Sequence, residues 1–357
     1  MNKFIFIVFA IVALFFWSSC ESDFQLTSEW KEFIIVYGIL DHNDKDNFIR
    51  IQKAFLDENT NALEIAGVAD SLFPQNLKSV DLLEFDDGDR IRTIPMQKVL
   101  AGNFQLEKDF EEGDIFATQP YNLYHTDSVL NNQYTYQLNI ETGTDNAVTA
   151  NTALMGDFEI LSPKPRSAVN LVSKNPFVRW RKAPNAKLYG LRLTFFYSEI
   201  ENNQPPVNKS LEWNLINSSI VPIDNLITYD FDIIADNLNT LTNEYRNAFF
   251  KHLAENIEPV AFINRNIDSV QYEFSYGSED ILKYNEVIAA QQQSIVGGGQ
   301  GINPYSNIEN GLGLLASRTT VKIHRVTLDS ETRDSLSCSP LVSPLNFEAA
   351  TPNFECF

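Results

Sequence analysis

The chain reads as mainly β: two immunoglobulin- or fibronectin-like β-sandwich domains, the second with inserted helices. Three observations predict this. Short segments alternating apolar and polar residues recur at close spacing between Asp/Asn/Gly turn clusters, the pattern of antiparallel strands and not of βαβ units. Aromatic residues are abundant, with 26 Phe and 13 Tyr, where disordered chains are poor in them. The 357 residues suffice for two cores.

Residues 33–40 are rich in β-formers, residues 41–47 are a turn-type cluster, and residues 48–53 alternate, so the three read as a hairpin. Residues 79–85 form a further strand. Asp86-Asp87-Gly88-Asp89 supplies the Asp-Gly chemistry of a tight hairpin turn, and residues 90–99 return. Residues 57–72 are ambiguous and leave room for a short helix. Residues 134–140 alternate cleanly. Ser162-Pro163-Lys164-Pro165-Arg166 reads as a boundary.

Past it, residues 177–180 end a strand at Trp180, residues 183–186 turn, and residues 188–197 form a long aromatic strand. Trp180, then Asn185-Ala186, then Tyr189-x-Leu191-x-Leu193, resembles the second and third strands of fibronectin type III-like sandwiches, which implies that the Trp fills the inter-sheet core. Pro205-Pro206 turns the chain and residues 211–215 pair back. Residues 242–256 put Tyr245, Ala248, Phe249 and Leu253 on one helical face. A second helix, near 279–292, starts after Ser278 as N-cap, with Glu279 and Asp280 in its positive first turn, and ends before Gly297-Gly298-Gly299. Residues 321–326 read as a closing strand.

The beginning of the chain carries an address. Lys3 precedes an apolar run over residues 4–17, and Ser18-Ser19 leads into Cys20, the layout of a secretory signal. The run is shorter than the about 20 residues of a membrane-spanning helix; a cleaved leader without lipid is the other alternative. The segment resembles a bacterial lipobox, which implies lipid attachment at Cys20 and removal of residues 1–19. The organisation expected is then a signal peptide (1–19), a tether (20–32), a first sandwich (33–160), a second (161–330), and a C-terminal tail (331–357). Acidic residues in the tether, Glu21 and Asp23, resemble in part a surface-export signal, so the membrane face stays open.

A net charge of −20 repels phosphate backbones and anionic bilayers, which argues against nucleic acid and leaves the lipid as the membrane contact. With Cys20 assigned, Cys338 and Cys356 remain, an even count in a disulfide-permissive compartment. A bridge between them would stabilise the tail by about 3 kcal/mol on the loop-entropy model. Two free thiols are the alternative; a metal site lacks further ligands nearby.

Catalytic signatures are absent from the sequence. His42, His125, His252 and His324 show no metal-binding spacing, and no Gly-x-Ser-x-Gly elbow occurs. Residues 41–47 place Lys45 where a calcium loop needs a ligand, and Gly297-Gly298-Gly299-Gln300-Gly301 lacks a phosphate-loop ending. The reading assigns no cofactor and no metal. Two acids meeting in space would suffice for glycoside hydrolysis and leave no linear signature. Four Asp-Ser-apolar triplets, at Ser71, Ser128, Ser269 and Ser335, resemble the O-glycosylation sequon of exported Bacteroidota proteins; ordinary turn usage of Asp-Ser is the favoured alternative.

Residues 278–325 carry a further resemblance. Ser278-Glu279-Asp280-Ile281-Leu282-Lys283-Tyr284, a Gln-rich segment, Asn303-Pro304, and Tyr305-Ser306-Asn307-Ile308-Glu309-Asn310-Gly311-Leu312-Gly313 resemble the C-terminal signature of a family of Bacteroidota outer-membrane lipoproteins of unknown function. That family also opens with a lipobox and a Val-x-Gly-x-Leu strand, here Val36, Gly38 and Leu40. The resemblance implies a β-rich lipoprotein at the outer membrane, working beside a TonB-dependent receptor, and transfers no catalytic residue. Read physically, the box is a buried turn feeding the last core strand. The function expected is a lipid-anchored accessory or binding protein of the cell envelope, not an enzyme. The alternatives are a surface glycan-binding or glycan-hydrolysing lipoprotein and a structural or adhesive module.

Overall fold

The first hairpin forms as its alternation dictates. Strand β1 (Phe33–Leu40) pairs antiparallel with β2 (Asn47–Ala54), Val36 opposite Ile51. Even-numbered residues of β1 point into a core, and Phe33, Tyr37 and Ile39 face outward and are exposed. The computed structural model describes residues 33–54, 68, 72–106, 121–143, 146–172, 177–201, 204–220, 226–230, 248–297, 303–352 and 354–355. The ambiguous stretch 57–72 lies almost wholly outside them.

Strands β3 (Ser79–Asp86) and β4 (Asp89–Pro95) meet at the expected Asp-Gly turn. Asp87 (φ 45°) and Gly88 (φ 94°) both adopt positive φ, as the tight hairpin turn matched to strand twist requires. The return stretch 90–99, expected as one strand, is two. Pro95 offers no N–H to extend the ladder, and β5 (Gln97–Leu100) joins a different sheet, pairing with β6 (Asn122–Thr126). β7 (Thr135–Glu141) and β8 (Val148–Ala153) complete a four-stranded sheet, β4-β3-β7-β8.

The second half supplies β9 (Glu159–Ser162), β10 (Ala168–Val169), β11 (Phe177–Arg181), β12 (Leu188–Glu201), β13 (Val207–Ile220) and β14 (Leu226–Asp230). Helix α1 (Ala248–Asn256), β15 (Ile263–Gly277), α2 (Glu279–Gly297), β16 (Leu312–Leu328) and α3 (Ser330–Cys338) follow. Of the helix expected over 242–256, residues 242–247 lie outside the described residues. Strands β9, β11 and β14 form a three-stranded sheet.

A nine-stranded sheet runs β13-β12-β15-β16-β1-β2-β6-β5, with β10 beside β16. Strand β16 joins its halves. Residues 312–317 run parallel to β1 from Ile35↔Leu312 to Leu40↔Ser317, and residues 318–326 run antiparallel to β15. Two cores lie on this one sheet. The β1–β2 end packs Val36, Leu40, Ile49 and Ile51 against Leu82, Tyr136, Leu138 and Ile140 of the four-stranded sheet. The β12–β15 end packs Leu193, Phe195, Tyr272 and Phe274 against Trp180, α1 and the C-terminal segment. Trp180 is 1% exposed, with Tyr189 and Phe274 at 5.8 and 5.4 Å, the inter-sheet place expected for it.

The mainly-β, sandwich-like class is therefore what the chain adopts, but the expected boundary at 160/161 does not divide its sheets. Residues 33–357 form one compact unit, because the chain's first described strand pairs with its last. Part of the expected tail, 331–357, also packs into the core. Leu336, Val342, Leu345 and Phe347 are buried in the second cluster. Asp329 caps α3, its side chain accepting from the Thr332 amide at 2.9 Å. Asp334 accepts from the amides of Ala350 and Thr351 at 2.8 and 2.9 Å and from the Thr351 hydroxyl at 2.6 Å. Burial pushes the Asp334 carboxyl up, and these bonds outweigh it and hold it below its usual range.

Two buried ions stiffen the halves. Glu84, 3% exposed, accepts a forked pair from Arg92 at 3.0 and 2.9 Å and a 2.6 Å bond from the Tyr136 hydroxyl. Arg265, 2% exposed, holds Glu199 at 2.8 Å and donates to the carbonyls of Leu345 and Glu258 at 2.7 and 3.0 Å.

Candidate functional site

The Tyr305–Gly313 box is the joint between the two ends of the chain. Ser306 Oγ accepts from the amides of Ile308 and Gly313 at 3.2 and 3.1 Å. The Asn307 side chain acts as a short strand, donating to the Leu315 carbonyl at 2.7 Å and accepting from its amide at 2.9 Å. Glu309 bridges to Thr149 of β8 through both backbone bonds and through a 3.0 Å bond to the Thr149 hydroxyl. Asn310 (φ 57°) donates to the Ala147 carbonyl at 2.9 Å. Ile308 enters the first core. The expected turn into the last core strand is present, but only Ile308 and Gly313 are buried while Glu309 and Asn310 are exposed; Ser306, Asn307, Glu309 and Asn310 each bond a neighbouring backbone.

The joint positions a groove on the outer side of β1. Helix α2 lies over this face, with Tyr284, Val287, Ile288 and Gln291 at helical spacing toward Ile35, Tyr37, Tyr305 and Leu312, around a space of about 370 Å³. Tyr37 and Tyr284 meet edge to face at 6.3 Å. The Tyr305 hydroxyl donates to Asp280 Oδ1 at 2.7 Å. Burial first, and this bond second, push the Tyr305 phenol up; burial does the same to Tyr284. The lining offers apolar contact, phenol hydroxyls and the Gln291 amide.

Helix α2 starts where expected, but Ser278 does not cap it with its side chain. Its Oγ is buried without a hydrogen-bond partner. Its amide donates to the Ser317 carbonyl at 2.9 Å, which ties the helix start to β16 instead.

The remaining sequence candidates are dispersed. The turn over residues 41–47 is organised by Asn47, whose side chain accepts from the Asp41 amide at 2.8 Å and donates to its carbonyl at 3.1 Å. Asp41 Oδ1 accepts from the Asn43 amide and the Thr319 hydroxyl, both at 2.9 Å. No group of three metal-ligating side chains occurs among the described residues. His125 pairs with Asp46 at 2.7 Å and clusters with the rings of Phe48 and Phe104. His252 stacks on Trp213 at 5.3 Å. His42 sits beside Asp41, and His324 is exposed on β16.

Of the Asp-Ser-apolar serines, Ser71 lies outside the described residues. Ser128 sits in a loop before Val129, which is 80% exposed. Ser269 is a correction to the expectation: it is 8% exposed inside β15, its Oγ donating to Asp268 at 3.2 Å, so it presents no free hydroxyl to a transferase. Ser335 is half-buried within α3, next to the committed Asp334. Cys20 and Cys356 lie outside the described residues, and Cys338 ends α3. No described helix is long and apolar enough to cross a membrane. Sequence reasoning missed the groove because its walls come from strand, helix and box residues that lie 277 positions apart across the β1–β16 pairing (Ile35↔Leu312 through Leu40↔Ser317); the one local signal was the apolar outward side of residues 33–39.

No protein-family model and no curated protein matches the chain. Among solved structures it is similar to trypsin-activated alpha-2-macroglobulin from Escherichia coli, at 8% identity and a TM-score of 0.16. The match covers 69% of this chain and 14% of that one.

Proposed function

We propose that the chain is a lipid-anchored binding protein of the cell envelope, which holds an apolar segment of an outer-membrane receptor or transport protein in the groove beneath α2. The observation that carries this reading is the groove itself: three tyrosines and aliphatic side chains around about 370 Å³. Interface cores are depleted of charge and enriched in aromatic residues. The exposed Phe33, Tyr37 and Ile39 extend the apolar surface along β1. The tether enters the fold at Phe33, on this same strand, so a lipid on Cys20 would place the docking strand next in sequence to the anchor.

A Cys338–Cys356 bridge belongs to the same reading. The Asp334 bonds hold residues 350 and 351 against the helix that Cys338 ends, and Cys356 follows shortly after. Ser128 is the described sequon serine whose loop would accept a sugar.

Photo-crosslinking from position 287, with a benzophenone amino acid replacing Val287, tests the proposal in the native host. Protein purified from its membranes should carry an envelope protein as adduct. Its uncrosslinked form should have the mass of a lipidated chain beginning at Cys20 with one disulfide. A purified chain with no protein adduct, or a mass showing no lipid, contradicts it.

A further inference from the structure

We propose that the outer face of the long sheet, at a pair of bulges centred on Asp268 and Arg325, binds a carboxylate-bearing saccharide. Two register shifts meet there. Between β12 and β15, Phe196 faces Ser269 and Tyr197 faces Ile267, which leaves Asp268 as the extra residue. Between β15 and β16, Val270 faces Val326 and Tyr272 faces Ile323, so His324 and Arg325 together oppose Gln271. Bulges of this kind turn side chains out of the alternation and gather beside functional sites. Here they open a shallow cleft of about 500 Å³ lined by Phe196, Asp268, Ser269, Gln271, His324 and Arg325, within the size range of small-ligand sites.

Arg325 adopts φ 57°. A bulge residue in this left-handed region is ordinarily glycine, so the arginine is held where its own side chain disfavours the backbone. It finds no ion pair or hydrogen bond among the described residues, nor does His324, in a chain with 47 acidic residues. The neighbouring cations are spoken for: Arg192 pairs with Glu212 and Glu273, and Lys322 with Glu273. An unpartnered guanidinium at the mouth of a cleft suits a planar carboxylate, which it grips through two parallel N–H donors.

The rest of the lining suits a sugar ring. Half-buried Phe196 offers a ring face for the apolar C–H side of a pyranose. Gln271 supplies a donor and an acceptor, and the exposed Asp268 carboxylate supplies acceptors for hydroxyl groups.

Calorimetric titration of the full chain with D-glucuronate, and with D-glucose as the neutral counterpart, tests this. Glucuronate should bind at least about tenfold more tightly, the equivalent of one charge-assisted hydrogen bond. Arg325→Gly should lose that preference while its unfolding temperature stays equal or rises, since glycine relaxes the left-handed backbone. Phe196→Ala should weaken binding of both sugars. Absence of binding by either sugar, equal affinity for the two, or a preference that survives Arg325→Gly overturns the proposal.

Discussion

Replacing Gly313 with alanine is expected to destabilise the fold by about 4 kcal/mol or more, in the class of exceptional single substitutions. Gly313 pairs with Val36 across the parallel junction and has φ +117°. A Cβ there would lie 1.9 Å from the Val36 carbonyl oxygen and 2.9 Å from its carbon, so β1 must move away or the box must unwind. Both separate the strands that line the groove. Gly88→Ala is the control. It also has positive φ, at +94°, but nothing lies within 4 Å of its added methyl, so only backbone strain of about 1–2 kcal/mol applies. Chemical denaturation of the two variants should show a large loss for the first and a small one for the second. Equal losses would mean that close approach to β1 is not what demands Gly313.

Arg265→Met is the second large effect, a loss of about 3–5 kcal/mol. The substitution leaves Glu199 facing a buried site with no counter-charge, and it strips donors from the Leu345 and Glu258 carbonyls. It also loosens the segment that supplies Leu345 and Phe347 to the core, whose backbone is tied to Arg265 by 2.9 Å bonds to Asn346 and from Glu348. The double variant Arg265→Met/Glu199→Gln should recover part of the loss, because no bare charge remains, but not all of it, because the two carbonyls still lack donors. Denaturant midpoints of the three chains decide this. A double variant no more stable than Arg265→Met would show that the carbonyl contacts, and not the charge on Glu199, dominate.

Much of the local structure was legible because it is set by neighbours in sequence. The β1–β2 alternation, the Asp87-Gly88 turn and the start of α2 follow from periods and turn chemistry within a few residues, while the burial of Trp180 is implied by the fibronectin-like resemblance. Strand β15 was available in the alternation of Val270, Tyr272, Phe274 and Tyr276, all buried on one face; ahead of them Asp268 is the extra residue of a bulge. Helix α3, capped by Asp329, reads as a tail because its sequence is polar.

What lay beyond reading was pairing at a distance. Residues 312–316 look like an apolar turn because β16 is buried on both faces there: Leu315 enters the first core, and Leu314 and Ala316 meet α2. Burial on both sides removes the alternation that marks a strand. The groove and the bulge cleft depend on which residues oppose which across strands, a register set by tertiary packing. The box residues were visible as a motif, but their work as clamps on Thr149, Ala147 and Leu315 appears only once β8 and β16 lie beside them.

The β1–β16 pair closes one fold, and the groove is built on that closure. Amide hydrogen exchange of the native chain across a denaturant series tests this most directly. Amides of β1 and of residues 314–317 should exchange through the same global opening as those of β3, β7, β12 and β15, with one dependence on denaturant. Loss of protection in β3 and β7 at a lower denaturant concentration than in β12 and β15 would instead reveal two independent sandwiches and contradict the account.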